Sequence, residues 1–224
     1  MKGAITSISA ILSILCPQSV LAPPHDSSPT KRILVLGDSL SDGYPLPRPR
    51  AYPALLCEKL RTAGLNYEVT NFSKAGGTTD DGLRMVAMSL TRPIDIFILE
   101  LGINDVFRGR SVQEIGRNLQ LIIDQVKARN PTVRIVVLGL QLPNYSPDDY
   151  VGAFGKMYAD LAAKNSAAYL PYLLQGVAGH PLLNSGDGIH PNWAGQKILA
   201  RNVWQVLEPV AREVATAQSS GHVQ

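Results

Sequence analysis

Cysteine is scarce in this 224-residue sequence, which contains only Cys16 and Cys57. Two cysteines cannot build a disulfide framework, a Cys-rich zinc site or an iron–sulfur site. The four histidines are scattered along the chain, so no local cluster of imidazoles predicts a metal centre. We therefore expect a protein that works without a metal.

The sequence also lacks the patterns of nucleotide and nucleic-acid binding. Neither G-x-G-x-x-G nor G-x-x-x-x-G-K-[ST] occurs, which argues against a dinucleotide or P-loop cofactor. Lys and Arg total 21 against 18 Asp and Glu, a formal net charge of +3, and these basic residues form no continuous run. We expect no cofactor and no nucleic-acid partner.

The composition fits one globular domain, since 45% of the residues are apolar and 17% are charged. At the start of the chain, Lys2 precedes an apolar run that ends in small residues at Ala22, which predicts a secretory signal peptide. The alternatives are a buried helix or a membrane anchor, but a membrane span needs about 20 apolar residues. We predict a signal peptide over 1–22, a linker over 23–30, a folded domain over 31–215 and a flexible tail over 216–224. The signal peptide implies a periplasmic or secreted protein.

Short β-branched runs alternate with longer amphipathic runs, the pattern of βαβ units around a parallel sheet. The sequence predicts an α/β protein with a three-layer, flavodoxin-like fold, in which helices flank a five-stranded parallel sheet of order 2-1-3-4-5. The predicted strands are 32–36, 67–72, 94–99, 134–140 and 168–170. The predicted helices are 52–63, 80–90, one that follows a capping box at Ser111, 147–165, and 191–214 with a kink or an early end at Pro209.

Polar or glycine-rich segments follow each predicted strand, at 37–40, 71–78, 102–105, 141–145 and 187–190. The carboxyl ends of parallel strands meet at one edge of a sheet, and ligands bind there where the strand order reverses. In the predicted order, segments 37–40 and 102–105 face each other at that point.

This edge collects the groups that serine catalysis needs: a hydroxyl, a histidine to take its proton and a carboxylate to hold the histidine. Ser39 lies in a tight turn between a strand and a helix. His190 is the histidine with a carboxylate nearby in a turn-prone loop, Asp187, and Gly188 lets that loop fold sharply. The sequence therefore predicts a catalytic triad of these three side chains.

Three groups are candidate donors to an oxyanion. They are the backbone N–H of Ser39 at a helix start, a backbone N–H near Gly76 and Gly77, and the side-chain amide of Asn104. The neighbouring Asp105, ionised at neutral pH, would repel an oxyanion and is expected to be structural.

These segments resemble, in order, the four sequence blocks of the GDSL esterase/lipase family, also called SGNH hydrolases. The resemblance covers about residues 32–209 and identifies 31–215 as an SGNH hydrolase domain. It implies Ser39 as nucleophile, Asp187 as acid, His190 as base, and Ser39, Gly76 and Asn104 as the oxyanion hole. The residues at 37–44, 102–109 and 142–145 look most similar to the bacterial arylesterase and periplasmic multifunctional thioesterase/lysophospholipase branch. Gly77 departs from the family pattern, because a polar, often acidic, residue is expected beside the oxyanion glycine.

Apolar residues near the same edge are expected to receive an acyl chain, or else only to anchor their loops. They are Val106, Phe107, Leu142, Pro143 and Tyr145, with Leu182 and Leu183.

We predict a serine hydrolase that cleaves carboxylic esters or thioesters through an acyl-enzyme on Ser39, with arylesterase, acyl thioesterase or lysophospholipase activity. A carbohydrate O-acetylesterase with the same triad is the alternative, and a non-catalytic flavodoxin-like binding module is a distant one. The expected partner is a small ester or thioester, with no stable membrane insertion of the mature chain. The sequence predicts no oligomeric state.

Overall fold

The computed structural model describes residues 30–142 and 149–217. Within these ranges one sheet of five parallel strands has the order β2-β1-β3-β4-β5, which confirms the predicted fold class and strand order. The strands are β1 Lys31–Gly37, β2 Tyr67–Asn71, β3 Ile96–Glu100, β4 Arg134–Leu138 and β5 Ala168–Leu170.

Helices cover both faces of this sheet. In the described residues they are α1 Ser39–Asp42, α2 Tyr52–Thr62, α3 Thr79–Ser89, α4 Ile103–Phe107, α5 Val112–Arg129, α6 Asp149–Asn165 and α7 Trp193–Ala217. The crossover from β1 to β2 runs opposite to the later crossovers, so right-handed connections place α2 on one face and α3, α5 and α6 on the other. The helix α7 packs against α2, which completes three layers.

The core forms because the strands are apolar on both sides. Every residue of β3 is buried, as a parallel strand covered by helices on both faces requires. The helix α5 begins with the predicted capping box of Ser111 and Glu114. Its apolar positions at helical spacing are fully buried, as predicted: Ile115, Leu119, Ile122, Ile123 and Val126.

The structure differs from the prediction at the last helix. The helix α7 continues through Pro209 to Ala217, so Pro209 does not end it and the first two residues of the predicted tail are helical. Buried Leu207, Val210 and Ala211 flank the proline, and their packing offsets the hydrogen bond that the proline cannot donate.

Several predicted features lie outside the described residues: the signal peptide at 1–22, most of the linker, Pro143, Tyr145 and the end of the tail. Over 30–142 and 149–217, no helix combines the length and the apolar character needed to cross a membrane.

Candidate active site

Ser39 lies at the reversal point of the sheet, directly after β1. The preceding Asp38 is the N-cap of the single-turn helix α1, and its Oδ1 accepts a hydrogen bond from Leu40 N at 3.0 Å. Ser39 is therefore the first helical residue, where the backbone N–H has no acceptor within the helix. The turn predicted at Ser39 is the short helix α1, which the sequence does not predict.

The hydroxyl of Ser39 meets His190 across 151 positions of sequence, with Oγ 3.0 Å from Nε2. The other ring nitrogen, Nδ1, lies 2.6 Å from Asp187 Oδ2. With Nδ1 protonated toward the carboxylate, Nε2 is free to accept the serine proton. The structure thus brings the three residues of the predicted triad into one hydrogen-bonded line.

The loop before α7 holds the acid and the base together. Asp187 Oδ1 accepts the backbone N–H groups of Ile189 and His190 at 2.9 and 3.0 Å, while Oδ2 bonds the imidazole. These bonds hold the pKa of Asp187 at about 2, well below its usual range, so the carboxylate is ionised at neutral pH. Gly188 has φ +70°, the left-handed conformation that the sharp turn requires.

The loop is also closed at its base. Ser185 N donates to His190 O at 2.7 Å, and an antiparallel bridge joins Asn184 to Pro191. The buried amide of Asn184 donates in turn to Val177 O and His180 O. The segment around Asp187 is therefore fixed to the fold on both sides.

Hydrogen bonds link the three segments that carry the predicted oxyanion donors. Asn104, in the single-turn helix α4, donates its side-chain amide to Asp38 Oδ2 at 3.1 Å and to Gly77 O at 3.0 Å. Arg108 donates to Gly76 O at 3.1 Å. Gly76 has φ +72°, a left-handed conformation that favours glycine, with open space where a Cβ would stand.

Gly77 has a steric reason to be glycine. Its N–H donates to Lys74 O at 2.9 Å, and a Cβ at this position would lie 2.8 Å from the same carbonyl oxygen. Glycine at position 77 therefore permits a tight turn between Lys74 and Gly77, which any side chain at this position would strain.

Asp105 bonds to Thr79, in keeping with the structural role expected for it. It is fully buried, and its carboxylate accepts Thr79 N at 2.9 Å and Thr79 Oγ1 at 2.6 Å. Asn118 of α5 donates to Thr79 Oγ1 at 3.0 Å, so the three side chains tie α4 to α3 and α5. Gly76 and Gly77 lie directly before α3, and Asp105 fixes the start of that helix.

The apolar residues expected at the rim divide into two sets. Val106, Leu142 and Leu183 pack against the core, which matches the alternative that they anchor their loops. Phe107 and Leu182 are 74% and 79% exposed and remain available to a ligand.

Two further residues near the triad were missed. Tyr44 makes an edge-to-face contact with the His190 ring, with the centroids 5.0 Å apart, and Glu100 is fully buried beneath the nucleophile turn. Glu100 directly follows an apolar strand at the predicted active edge, which was a usable signal. Tyr44 lies in the 37–44 stretch that carries the resemblance, but its contact with His190 arises only from the tertiary fold.

Other ionisable side chains lie outside the triad. Arg110 forms an ion pair with Asp80, and His180 is exposed. Cys57 packs in the hydrophobic core. In the part of the chain that the structure describes, no group of three or more His, Cys, Asp or Glu side chains is arranged to hold a metal ion.

Comparison with known proteins agrees with this geometry. Residues 35–198 match the GDSL-like Lipase/Acylhydrolase family. The chain is 36% identical to the esterase TesA of Pseudomonas aeruginosa over 203 residues, which cover 90% of this chain and 98% of the relative. It is 34% identical to thioesterase 1/protease 1/lysophospholipase L1 of Escherichia coli K12 over 179 residues, covering 80% and 84%. A TesA crystal structure aligns with a TM-score of 0.75 at 35% identity, over 80% of this chain and 99% of that chain.

The sequence motifs, the sheet topology and these matches agree over most of the described chain. The chain belongs to the GDSL-like lipase/acylhydrolase family and is a carboxylic ester hydrolase.

Proposed function

We propose that Ser39 is the covalent nucleophile of this hydrolase, with His190 as its general base and Asp187 as the residue that orients and stabilises the imidazole. The observation that carries the proposal is the continuous line of contacts, 3.0 Å from Ser39 Oγ to His190 Nε2 and 2.6 Å from His190 Nδ1 to Asp187 Oδ2. Such a line is the arrangement by which a serine hydroxyl becomes a nucleophile.

Acylation follows from this geometry. Ser39 Oγ attacks the acyl carbonyl carbon while its proton passes to His190 Nε2, and the carbonyl oxygen becomes an oxyanion. The N–H groups of Ser39 and Gly76 and the amide of Asn104 stabilise that oxyanion. When the intermediate collapses, the imidazolium returns the proton to the leaving alcohol or thiol. Water then attacks the acyl-serine by the same route and releases the acid.

We propose esters and thioesters with apolar acyl groups as the substrates. Four exposed apolar side chains lie in segments that follow the carboxyl ends of strands: Tyr44, Phe107, Leu182 and Ile189. Apolar surface near a nucleophile favours an acyl chain over a sugar, and the Escherichia coli relative is named a thioesterase and lysophospholipase. This supports hydrolysis of esters and thioesters with apolar acyl chains rather than carbohydrate deacetylation.

We propose export to the periplasm or medium, on the basis of the apolar, small-residue composition of 1–22. Amino-terminal sequencing of the protein from fractionated cells tests this directly. A cytoplasmic chain that retains Met1 would contradict it.

A fluorophosphonate tests the nucleophile. We expect stoichiometric labelling at Ser39, abolished in Ser39→Ala and strongly slowed in His190→Ala. Ser89→Ala, far along α3, is the control and should label normally. Asp187→Asn should lower kcat by up to about 10⁴-fold through the wrong imidazole tautomer. Labelling of folded Ser39→Ala at the wild-type rate would refute the assignment.

A graded series of nitrophenyl esters, acyl thioesters, lysophospholipids and acetylated sugars tests the substrate class. We expect kcat/KM to rise with acyl length, and to fall in Phe107→Ser and Leu182→Ser for long chains only. Preference for acetylated sugars would favour the deacetylase alternative.

A further inference from the structure

Glu100 ends β3 directly beneath the turn that carries Ser39. It pairs in register with Gly37 at the end of β1, and a Cβ at Gly37 would lie 2.6 Å from Glu100 Oε2. The carboxyl group of Glu100 therefore fits at this position because Gly37 has no side chain. Glu100 is 0% exposed.

The carboxyl group holds both sides of the nucleophile turn. Glu100 Oε2 accepts the backbone N–H of Asp38 at 3.1 Å and the hydroxyl of Ser41 at 2.7 Å. The Ser41 oxygen also lies 2.7 Å from Tyr52 OH. Because the serine hydroxyl donates to Glu100, the tyrosine hydroxyl donates to serine. Ser39 stands between the two residues that Glu100 holds.

Asp38 extends the network to the oxyanion donor. It is also 0% exposed, and its Oδ2 accepts the Asn104 amide at 3.1 Å. Glu100 thus reaches the nucleophile through Ser41 and the Asp38 backbone, and reaches Asn104 through the Asp38 side chain.

Asp38 and Glu100 are both fully buried and are joined through the Asp38 backbone, and two buried carboxyl groups this near each other cannot both be ionised without a large electrostatic cost. All of the described donors to them are neutral, namely backbone N–H groups, a hydroxyl and an amide. Burial, reinforced by the charge of Asp38, raises the pKa of Glu100 well above its usual range, whereas burial raises the pKa of Asp38 to about 6. At neutral pH Glu100 therefore keeps the proton. Glu100 Oε1 has no hydrogen-bond partner among the described residues.

We infer that Glu100 is a positioning residue that acts as a neutral carboxylic acid, fixing the Ser39 turn and, through Asp38, the amide of Asn104. The expected effect on kcat rests on the proposed function, whereas the protonation state of Glu100 does not. The titratable groups that face the pair are Tyr52 of α2, Tyr158 of α6, and, on the Asp38 side, Asp105 and His190.

The test compares Glu100→Gln with Glu100→Ala. Glutamine reproduces a protonated carboxyl group, with an oxygen that accepts from Asp38 N and Ser41 Oγ and an uncharged NH₂ group in place of the acid O–H. We expect Glu100→Gln to keep kcat within about threefold, and Glu100→Ala to lower kcat about 10- to 100-fold with KM nearly unchanged.

Asn130→Ala is the matched control, because Asn130 is also buried but bonds Ile94 N and Val126 O at the opposite end of the sheet. It should lose stability and keep kcat. All variants are assayed below their unfolding temperatures. Equal kcat in Glu100→Ala and Asn130→Ala would overturn the positioning role, and a loss in Glu100→Gln as large as in Glu100→Ala would overturn the neutral form.

Infrared spectroscopy of the wild-type protein provides a readout that does not depend on activity. At pH 8 we expect the carbonyl stretch of one protonated carboxylic acid, absent from Glu100→Gln. If that band is missing in the wild type, the inference is wrong. If the band is present but a fluorophosphonate fails to label Ser39, the proposed function is wrong and the protonated Glu100 stands.

Discussion

The Nδ2 atom of Asn104 lies 3.1 Å from Oδ2 of Asp38, and the same nitrogen lies 3.0 Å from Gly77 O. The two contacts use both hydrogens of the amide. An oxyanion must therefore share one of these hydrogens with Gly77 O or take it over. The amide is held rigidly before substrate arrives, and its contribution appears only when negative charge develops on the substrate.

Asn104→Ala should therefore reduce kcat while KM stays nearly constant. Removing one of three oxyanion donors costs about 2.7 to 4 kcal/mol of transition-state stabilisation, or roughly 10²- to 10³-fold in kcat. Steady-state kinetics on a soluble nitrophenyl ester measure both constants. A raised KM with an intact kcat would instead make Asn104 a ground-state binding group.

Asp105→Ala should act mainly on stability. The change leaves the buried N–H and hydroxyl of Thr79 without their charged acceptor, which costs about 3 kcal/mol. Urea unfolding at neutral pH measures this loss. Well below the unfolding midpoint, kcat should change less than about tenfold, in contrast to Asn104→Ala. The opposite pattern, a stable variant with a 10³-fold lower kcat, would place Asp105 in the chemistry.

Tyr44 should support catalysis through its ring and not its hydroxyl. An edge-to-face aromatic pair contributes about 0.5 to 1.5 kcal/mol, and here it holds the imidazole toward Ser39. We expect Tyr44→Phe to match the wild type, and Tyr44→Ala to lose about two- to tenfold in kcat/KM. If Tyr44→Phe lost as much as Tyr44→Ala, the hydroxyl would be the important group.

Asp38 should make the protein less stable as the pH rises. Burial raises the pKa of Asp38 to about 6 from its usual 3.8, so the folded state binds its proton more tightly than the unfolded state does. Stability from this group is fully present below about pH 4 and is lost as the pH rises through 6.

Urea unfolding of the wild type and Asp38→Asn between pH 4 and pH 8 tests this sign. Asparagine retains a side-chain oxygen for the N-cap and cannot ionise. The unfolding free energy of Asp38→Asn, relative to the wild type, should rise between about pH 4 and pH 6 and then level off. A constant difference would show that Asp38 titrates normally.

The sequence predicted best where a residue's role is local. The apolar runs of β1 and β3, the capping box at Ser111 and the short spacing between Asp187 and His190 all follow from neighbours in the chain. The parallel topology then brought Ser39 and His190 to one edge of the sheet, as expected. The order of strands was confirmed by the structure.

The features that the sequence did not predict depend on distant contacts. The helices α1 and α4 are single turns, too short for helical periodicity to appear. The position of Glu100 after an apolar strand was a signal for the site, but its complete burial depends on the space left by Gly37 and does not follow from the sequence. The continuation of α7 through Pro209 depends on packing that overrides local preference.

The loop that carries Asp187 and His190 is held in shape by contacts between its own residues. Its carboxylate bonds the backbone of the same turn, and its two ends are joined at Asn184 and Pro191. The contact between acid and base is therefore made within residues 184–191, which meet the preceding chain through the Asn184 amide. Insertions between β5 and residue 184 that keep these anchoring contacts would reshape the substrate entrance and leave the proton-transfer pair intact, so exposed positions of that stretch are suitable sites for loop grafting to alter selectivity.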